Sequence, residues 1–397
     1  MRVKMSDDTS ATTAERVPTV TPDALKARID AGEDVFVLDA RSRSDFEEWH
    51  LDGETVDVVN YPYFELLDGL PDDLRERLPD ERRITVLCAK GGSSEMVAAD
   101  LDAAGYDAEH LDRGMKGWAR LYESAELDVG LDATVVQYRR PSTGCLAYLV
   151  VSDGEAAVVD PLRAFIDTYV RDARALGADL TYAVDTHVHA DHVSGIRALA
   201  DEVDATPVLP ATADARGVDY DSDYVTIADG ESVGVGAVDL EAIHTPGHTT
   251  GMTTYRVGTV LFTGDGLFTE SVARPDLEDP EAARGAARTL HESLQGLLAR
   301  FDDGALVAPA HFSNAATPNA DGSYTADLGA LVETMNALAM DADGFVDYVV
   351  NDMPPRPANH EEIIATNLGQ RAPDDETAFE LELGPNNCAA SEDAMTN

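Results

Sequence analysis

The stretch Thr186-His187-Val188-His189-Ala190-Asp191-His192 decides the reading of this chain. It places three imidazoles and a carboxylate directly after an apolar strand predicted over residues 182–185 and before a helix predicted over 195–201. Imidazole and carboxylate are the ligands of zinc and of iron. A regular strand or helix face cannot aim all four side chains at one point, whereas a loop at a strand end can.

Working outward, three more predicted strands end in the same chemistry. His244-Thr245-Pro246-Gly247-His248-Thr249 closes the apolar run 240–243, Thr263-Gly264-Asp265 closes 260–262, and Pro309-Ala310-His311 closes 306–308. Four strand ends can therefore meet at one edge of a sheet around a metal. His244 reads as an ordinary strand-end residue. His50, His110, His291 and His360 lack ligand-like neighbours and read as surface or structural.

At 397 residues the chain has room for two or three domains, at roughly 150 residues per domain. With 75 acidic against 29 basic residues, its formal net charge is −46. The acids are interspersed rather than blocked, and lysine occurs only at Lys4, Lys26, Lys90 and Lys116. Such a composition looks like that of a halophilic protein, whose self-repulsion concentrated salt screens. It argues against nucleic acid as a partner, because phosphate binding needs clustered Lys and Arg. Apolar runs are too short for a membrane span, and residues 1–14 lack the apolar core of a signal peptide, so the expectation is a soluble, cytoplasmic protein. Three scattered cysteines, Cys88, Cys145 and Cys388, make neither a disulfide framework nor a zinc module. Cys145 reads as a small buried hydrophobe.

Residues 21–124 alternate short apolar strands (35–39, 84–87) with helices (24–31, 95–104), the pattern of a parallel sheet flanked by helices. After a link at 123–128, strands are predicted at 135–138, 146–151 and 156–159, then helices at 165–176 and, late in the chain, 328–340. The predicted organisation is a flexible N-terminus (1–15), an α/β domain (16–127), a second domain (128–384) and a flexible tail (385–397). Within the first domain, Cys88-Ala89-Lys90-Gly91-Gly92-Ser93-Ser94 lies between strand and helix. Backbone N–H groups there can surround the sulfur, the helix N-terminus favours an anion, and Lys90 adds positive charge, so Cys88 reads as a reactive thiolate.

The sequence His-x-His-x-Asp-His, followed by the His248, Asp265 and His311 segments, resembles the metallo-β-lactamase superfamily over residues 131–368. That resemblance implies an αββα sandwich with a metal at the sheet edges. In dinuclear members the matching positions imply His187, His189 and His248 on one metal, Asp191, His192 and His311 on a second, and Asp265 bridging. All seven positions are filled. A complete set implies a two-zinc thioester hydrolase similar to glyoxalase II. Persulfide dioxygenases share the motif yet hold one Fe(2+) through the residues matching His187, His248 and Asp265, leaving His189, Asp191, His192 and His311 around it. Ala273-Arg274-Pro275-Asp276-Leu277 resembles the Gly-Arg-Pro-Asp-Leu signature of those enzymes, with alanine in place of glycine. Gly144-Cys145-Leu146-Ala147-Tyr148-Leu149 resembles their early strand. Arg274 and Tyr148 are therefore candidates to touch substrate.

Residues 17–122 resemble rhodanese, on Val37-Leu38-Asp39-Ala40-Arg41, the segment from Phe46 to Gly53, the Cys88 loop and Leu111-Asp112-Arg113-Gly114-Met115-Lys116-Gly117-Trp118. The family carries sulfane sulfur on the cysteine. Ser93 stands where the usual loop has arginine, and Lys90 is the remaining cation there. Together the two resemblances imply an enzyme that oxidises a low-molecular-weight thiol persulfide with oxygen, yielding sulfite or thiosulfate, in a chain free to form a homo-oligomer. The alternative is a dizinc thioester hydrolase with an accessory rhodanese domain.

Overall fold

The structure is a computed structural model describing residues 17–313, 315–351, 353–384 and 388–390. It divides into two compact units between Leu121 and Tyr122. The expected boundary at residue 127 is therefore too late. Glu123–Leu127 is no link but an edge strand pairing antiparallel with Thr134–Arg140, and it buries Ala125 and Leu127 by alternation.

In the first unit, five parallel strands lie in the order Thr19–Val20, Ala108–Leu111, Ile84–Leu87, Val35–Asp39 and Val56–Asn60. Val35–Asp39 and Ile84–Leu87 are buried on both faces, as central strands of a parallel sheet require. Ile84–Leu87 delivers Cys88 at its C-terminal end, where the helix Gly92–Ala103 follows.

The second unit stacks two sheets. One has seven strands, running from Val225–Ile227 through Asp179–Val184 and Cys145–Ser152 to Glu123–Leu127. The other has six, from Ser232–Val235 through Val260–Gly264 to Ala326–Asp327. Cys145–Ser152 shows how they pack: Leu146, Tyr148 and Val150 enter the core between the sheets, while Cys145, Ala147, Leu149 and Val151 face the helix-side core with Tyr169, Val170 and Leu199. Beyond the second sheet, Leu290 and Leu294 of the helix Ala283–Arg300 pack with Leu261, Val307 and Phe345. The layers are helix, sheet, sheet, helix, the αββα order expected. Among the described residues, no helix is long and apolar enough to cross a membrane.

Two further expectations change. The helix predicted over 328–340 stops at Thr334, because Met335 adopts an extended conformation before a short 3-10 turn at Asn336–Ala339. The tail is not uniform. Residues 1–15, 385–387 and 391–397 lie outside the described residues, but Cys388 and Ala390 are buried, and Ala389 bridges Ala273.

The C-terminal elements hold the metal loop from behind. Arg140 and Glu382 form a fully buried ion pair at 2.7 Å, and the other Glu382 oxygen accepts the Val193 N–H at 2.9 Å. Asn367 donates to the carbonyls of His189 (3.0 Å) and His192 (2.8 Å) and accepts from the Ser194 N–H. Removing one partner of a buried pair strands the other charge. We expect Arg140→Ala to lower the unfolding free energy of this unit by about 3–5 kcal/mol in a denaturant titration.

Candidate metal centre and sulfur loop

Strand Asp179–Val184 ends just before Asp185, and the backbone then leaves the sheet into the histidine loop. One carboxylate, Asp160, organises that loop. Its oxygens accept the Thr186 N–H at 2.7 Å, the Thr186 hydroxyl at 3.0 Å and the His189 Nε2–H at 3.0 Å. Because the Thr186 hydroxyl spends its proton on Asp160, it accepts from His187 Nδ1–H at 2.9 Å. His187 therefore turns the lone pair of Nε2 inward. Gly264 makes this approach workable: its φ is +53°, and a Cβ there would come within 2.5 Å of the Thr186 hydroxyl oxygen.

His248 is set by a different strand end. Its Nδ1–H donates to the Arg274 carbonyl at 2.8 Å, leaving Nε2 as acceptor. The Nε2 atoms of His187 and His248 both stand 3.6 Å from Asp265 Oδ2. All three atoms are buried and lack a hydrogen-bond partner. An unsatisfied buried polar group costs about 1–3 kcal/mol, so three converging ones need a common partner. A divalent cation is such a partner, and two imidazoles with one carboxylate form an open face suited to non-haem iron. Burial and the neighbouring His189 hold the His187 pKa well below its ordinary value, and burial lowers that of His248, which keeps both lone pairs available.

The remaining motif residues are tied to one another. Asp191 Oδ2 accepts from His192 Nδ1 at 3.0 Å and from His311 Nε2 at 2.8 Å, while His311 Nδ1 contacts Asp265 Oδ1. His311 thus faces a carboxylate with each nitrogen. Burial opposes its charge, but Asp265 and Asp191 prevail and raise its pKa well above the ordinary histidine value. Burial would likewise raise Asp265, yet His311 and the other imidazoles hold it below the usual carboxylate range. His189 Nδ1, His192 Nε2 and Asp191 Oδ1 have no hydrogen-bond partner.

Two substrate candidates are corrected. Arg274 is 1% exposed, with its guanidinium spent on Asp276 (2.7 and 3.1 Å) and on the Pro355 carbonyl. Its fork cannot face a substrate carboxylate, and its backbone carbonyl is what reaches the site. Tyr148 is buried between the sheets, donating to the Pro309 carbonyl at 2.6 Å and accepting from Gln137 at 3.0 Å. Two cysteines come closer than expected. Cys145 Sγ lies 3.4 Å from Asp191 Oδ2, within a group that includes His192 and His311. Cys388 groups with Asp265 and His311, and burial followed by Asp265 and Asp191 pushes its thiol pKa well up.

In the first unit, Cys88 is 6% exposed. Its Sγ accepts the N–H groups of Gly91 (3.1 Å) and Ser94 (3.4 Å), and the thiol donates to the Ser94 hydroxyl oxygen at 3.4 Å, whose own proton goes to the Gly91 carbonyl. Gly91, at φ +96°, lies so close to the neighbouring turn that a Cβ would meet the Arg113 nitrogen at 3.0 Å. Gly92 opens the helix, Ser93 is half-buried beside it, and Lys90 is exposed on the loop. The N–H cradle suits a sulfur anion.

Comparison with known proteins agrees with both halves. The rhodanese-like domain family matches residues 21–121, and the metallo-β-lactamase superfamily matches residues 141–311. The chain carries a domain of each. It is 32% identical over 162 residues to the mitochondrial persulfide dioxygenase ETHE1 of Bos taurus, covering 40% of this chain and 59% of the relative. It is 35% identical over 120 residues to a hydroxyacylglutathione hydrolase of Xylella fastidiosa, covering 30% of this chain and 44% of that protein. The crystal structure of ETHE1 from Myxococcus xanthus superposes with a TM-score of 0.52 at 25% identity, covering 59% of this chain and 98% of that one.

Asp160 was absent from the sequence reading, because nothing beside it in the chain marks it as a support for His187 and His189. Outer carboxylates of this kind set ligand orientation. We expect Asp160→Asn to weaken metal retention by about 10–100-fold in a chelator competition.

Proposed function

We propose that the second unit is a persulfide dioxygenase-type enzyme, with one iron held by His187, His248 and Asp265, and that Cys88 passes sulfane sulfur within the same chemistry. The observation that carries the single-metal reading is His311. Its nitrogens stand against Asp191 and Asp265, and with a proton on each it would have no lone pair to offer a second metal. The similarity to persulfide dioxygenases over part of the chain supports the same reading.

Ferrous iron, when bound, supplies the activation of oxygen beside a sulfur ligand at its open positions. The chain supplies the rest. Thr186 and the Arg274 carbonyl fix the tautomers of His187 and His248, so neither ring must turn to bind. His311 holds a proton at Nδ1 against Asp265 Oδ1 and leaves Oδ2 directed at the histidines. Full burial of these side chains keeps bulk water from the reacting sulfur. In the first unit, the Gly91 and Ser94 N–H groups stabilise a charged sulfur on Cys88. The scarcity of lysine and the balance of −46 argue against nucleic acid as a partner.

A dizinc thioester hydrolase is the second reading. It is favoured by the partnerless atoms on His189, His192 and Asp191 and by the similarity to hydroxyacylglutathione hydrolase. Metal analysis combined with oxygen uptake separates the two. The dioxygenase reading expects one iron per chain, oxygen consumption with a small-thiol persulfide, and sulfite as product. Two tightly held zincs per chain and no oxygen uptake would replace it with the hydrolase. For the first unit, sulfur transfer to sulfite is expected to fall at least about 100-fold in Cys88→Ser. Unchanged transfer would make this domain a scaffold.

A further inference from the structure

A cleft of about 660 Å³ opens on the second unit, and none of the candidate metal ligands lines it. Clefts of ~300–1,000 Å³ are the usual size of small-molecule sites. Its lining combines the apolar Leu277, Pro280, Ile364, Ala365 and Leu368 with two arginines, Arg216 and Arg356, and two glutamates, Glu278 and Glu361. Two guanidinium groups in one cleft stand out in a chain with 29 basic against 75 acidic residues. Arg216 is the more telling of the two. Its side chain is only 16% exposed, and Glu278 Oε1 lies 3.1 Å from its Nη1. That ion pair lacks the alignment of a hydrogen bond, so Nη1 is a buried donor with no acceptor. Burial accordingly pulls the Arg216 pKa below its ordinary value, against the attraction of Glu278.

We propose that this cleft binds a monocarboxylic acid with an apolar body, and that the bound acid steadies the loop carrying His248. The charge of the lining selects the class. Two arginines against two glutamates leave the cleft near neutral, so a single carboxylate supplies what the open donor on Arg216 lacks. A phosphate ester with two or more charges would meet Glu278 and Glu361 as well. A carboxylate also matches the planar fork of a guanidinium, which can donate two parallel N–H bonds to it. Leu277, Ile364 and Leu368 then cover the apolar body and remove it from water.

Each arginine is tied to His248 through one carboxylate. Glu278, the partner of Arg216, accepts the Thr250 N–H at 2.9 Å, two residues beyond His248. Arg356 donates to Asp276 Oδ2 at 3.2 Å, and Asp276 holds the guanidinium of Arg274, whose carbonyl orients the His248 ring. An acid that fixes both guanidinium groups therefore fixes both carboxylates behind His248. Less freedom then remains to be lost when a metal binds, so acid and metal each raise the affinity of the other, by the same factor. This coupling rests on His248 being a metal ligand, whereas the binding of the acid does not.

Titration calorimetry of the metal-free full chain with decanoate tests the site. One molecule is expected to bind per chain, and decanamide, its uncharged analogue, at least about tenfold more weakly. Arg216→Gln should weaken decanoate by a similar factor, and Ala365→Phe, which fills the cleft and keeps both arginines, should abolish saturable binding. Chelator competition for ferrous iron tests the coupling. Decanoate at a concentration that saturates only the unaltered chain should raise iron retention at least about fivefold there and have no effect in Arg216→Gln. The proposal fails if decanoate does not bind saturably, or if decanamide and both variants bind as well as the acid and the unaltered chain. Binding that depends on Arg216 but leaves iron retention unchanged overturns the effect on His248. A chain that binds decanoate through Arg216 yet retains no metal at all sinks the metal-centre reading and leaves the ligand of the cleft standing.

Discussion

The division of the Asp265 carboxylate between two tasks governs the second unit. One oxygen stands 3.6 Å from the inward nitrogens of both His187 and His248, and the other is held by His311. A carboxylate buried this deeply would ordinarily favour its neutral form. The imidazoles around it reverse that preference, so the site keeps a negative charge where a cation must sit. Everything behind the site serves this arrangement: Asp160 through Thr186, Arg274 through its carbonyl, and Asn367 through the loop backbone.

In the proposed single-iron reading, His311 is what would let a complete seven-residue set hold fewer metals than it has ligands for. Placed between Asp191 and Asp265, a doubly donating imidazole offers positive charge where a second metal would offer more. Cation and proton compete for the same pair of carboxylates, and the proposed reading gives that place to the proton.

Much of the site was legible because its side chains sit at strand ends, where apolar runs stop and polar residues begin. His187, His248, Asp265 and His311 were found that way, as was the Cys88 loop between strand and helix. What escaped depends on contacts remote in sequence. Asp160 lies 26 residues before the Thr186 it supports, and Glu382 lies 189 residues beyond the Val193 N–H it accepts. No local pattern marks either. Arg274 was misread for the opposite reason, since its partner Asp276 is only two residues away and a sequence does not show which way a guanidinium turns. The helix Ala283–Arg300 was missed although Ala287, Leu290, Leu294 and Leu297 recur at helical spacing. The unit boundary slipped because Glu123–Leu127 is short, acidic and half-exposed, as edge strands often are.

The central claim is that His311 stays between its two carboxylates while a single ion occupies the face formed by His187, His248 and Asp265. Anomalous diffraction from crystals grown with ferrous iron addresses it directly. The account predicts one anomalous peak bonded to both Nε2 atoms and to Asp265 Oδ2, with His311 still joining Asp191 to Asp265. Two peaks, with His311 swung onto the second, would contradict it.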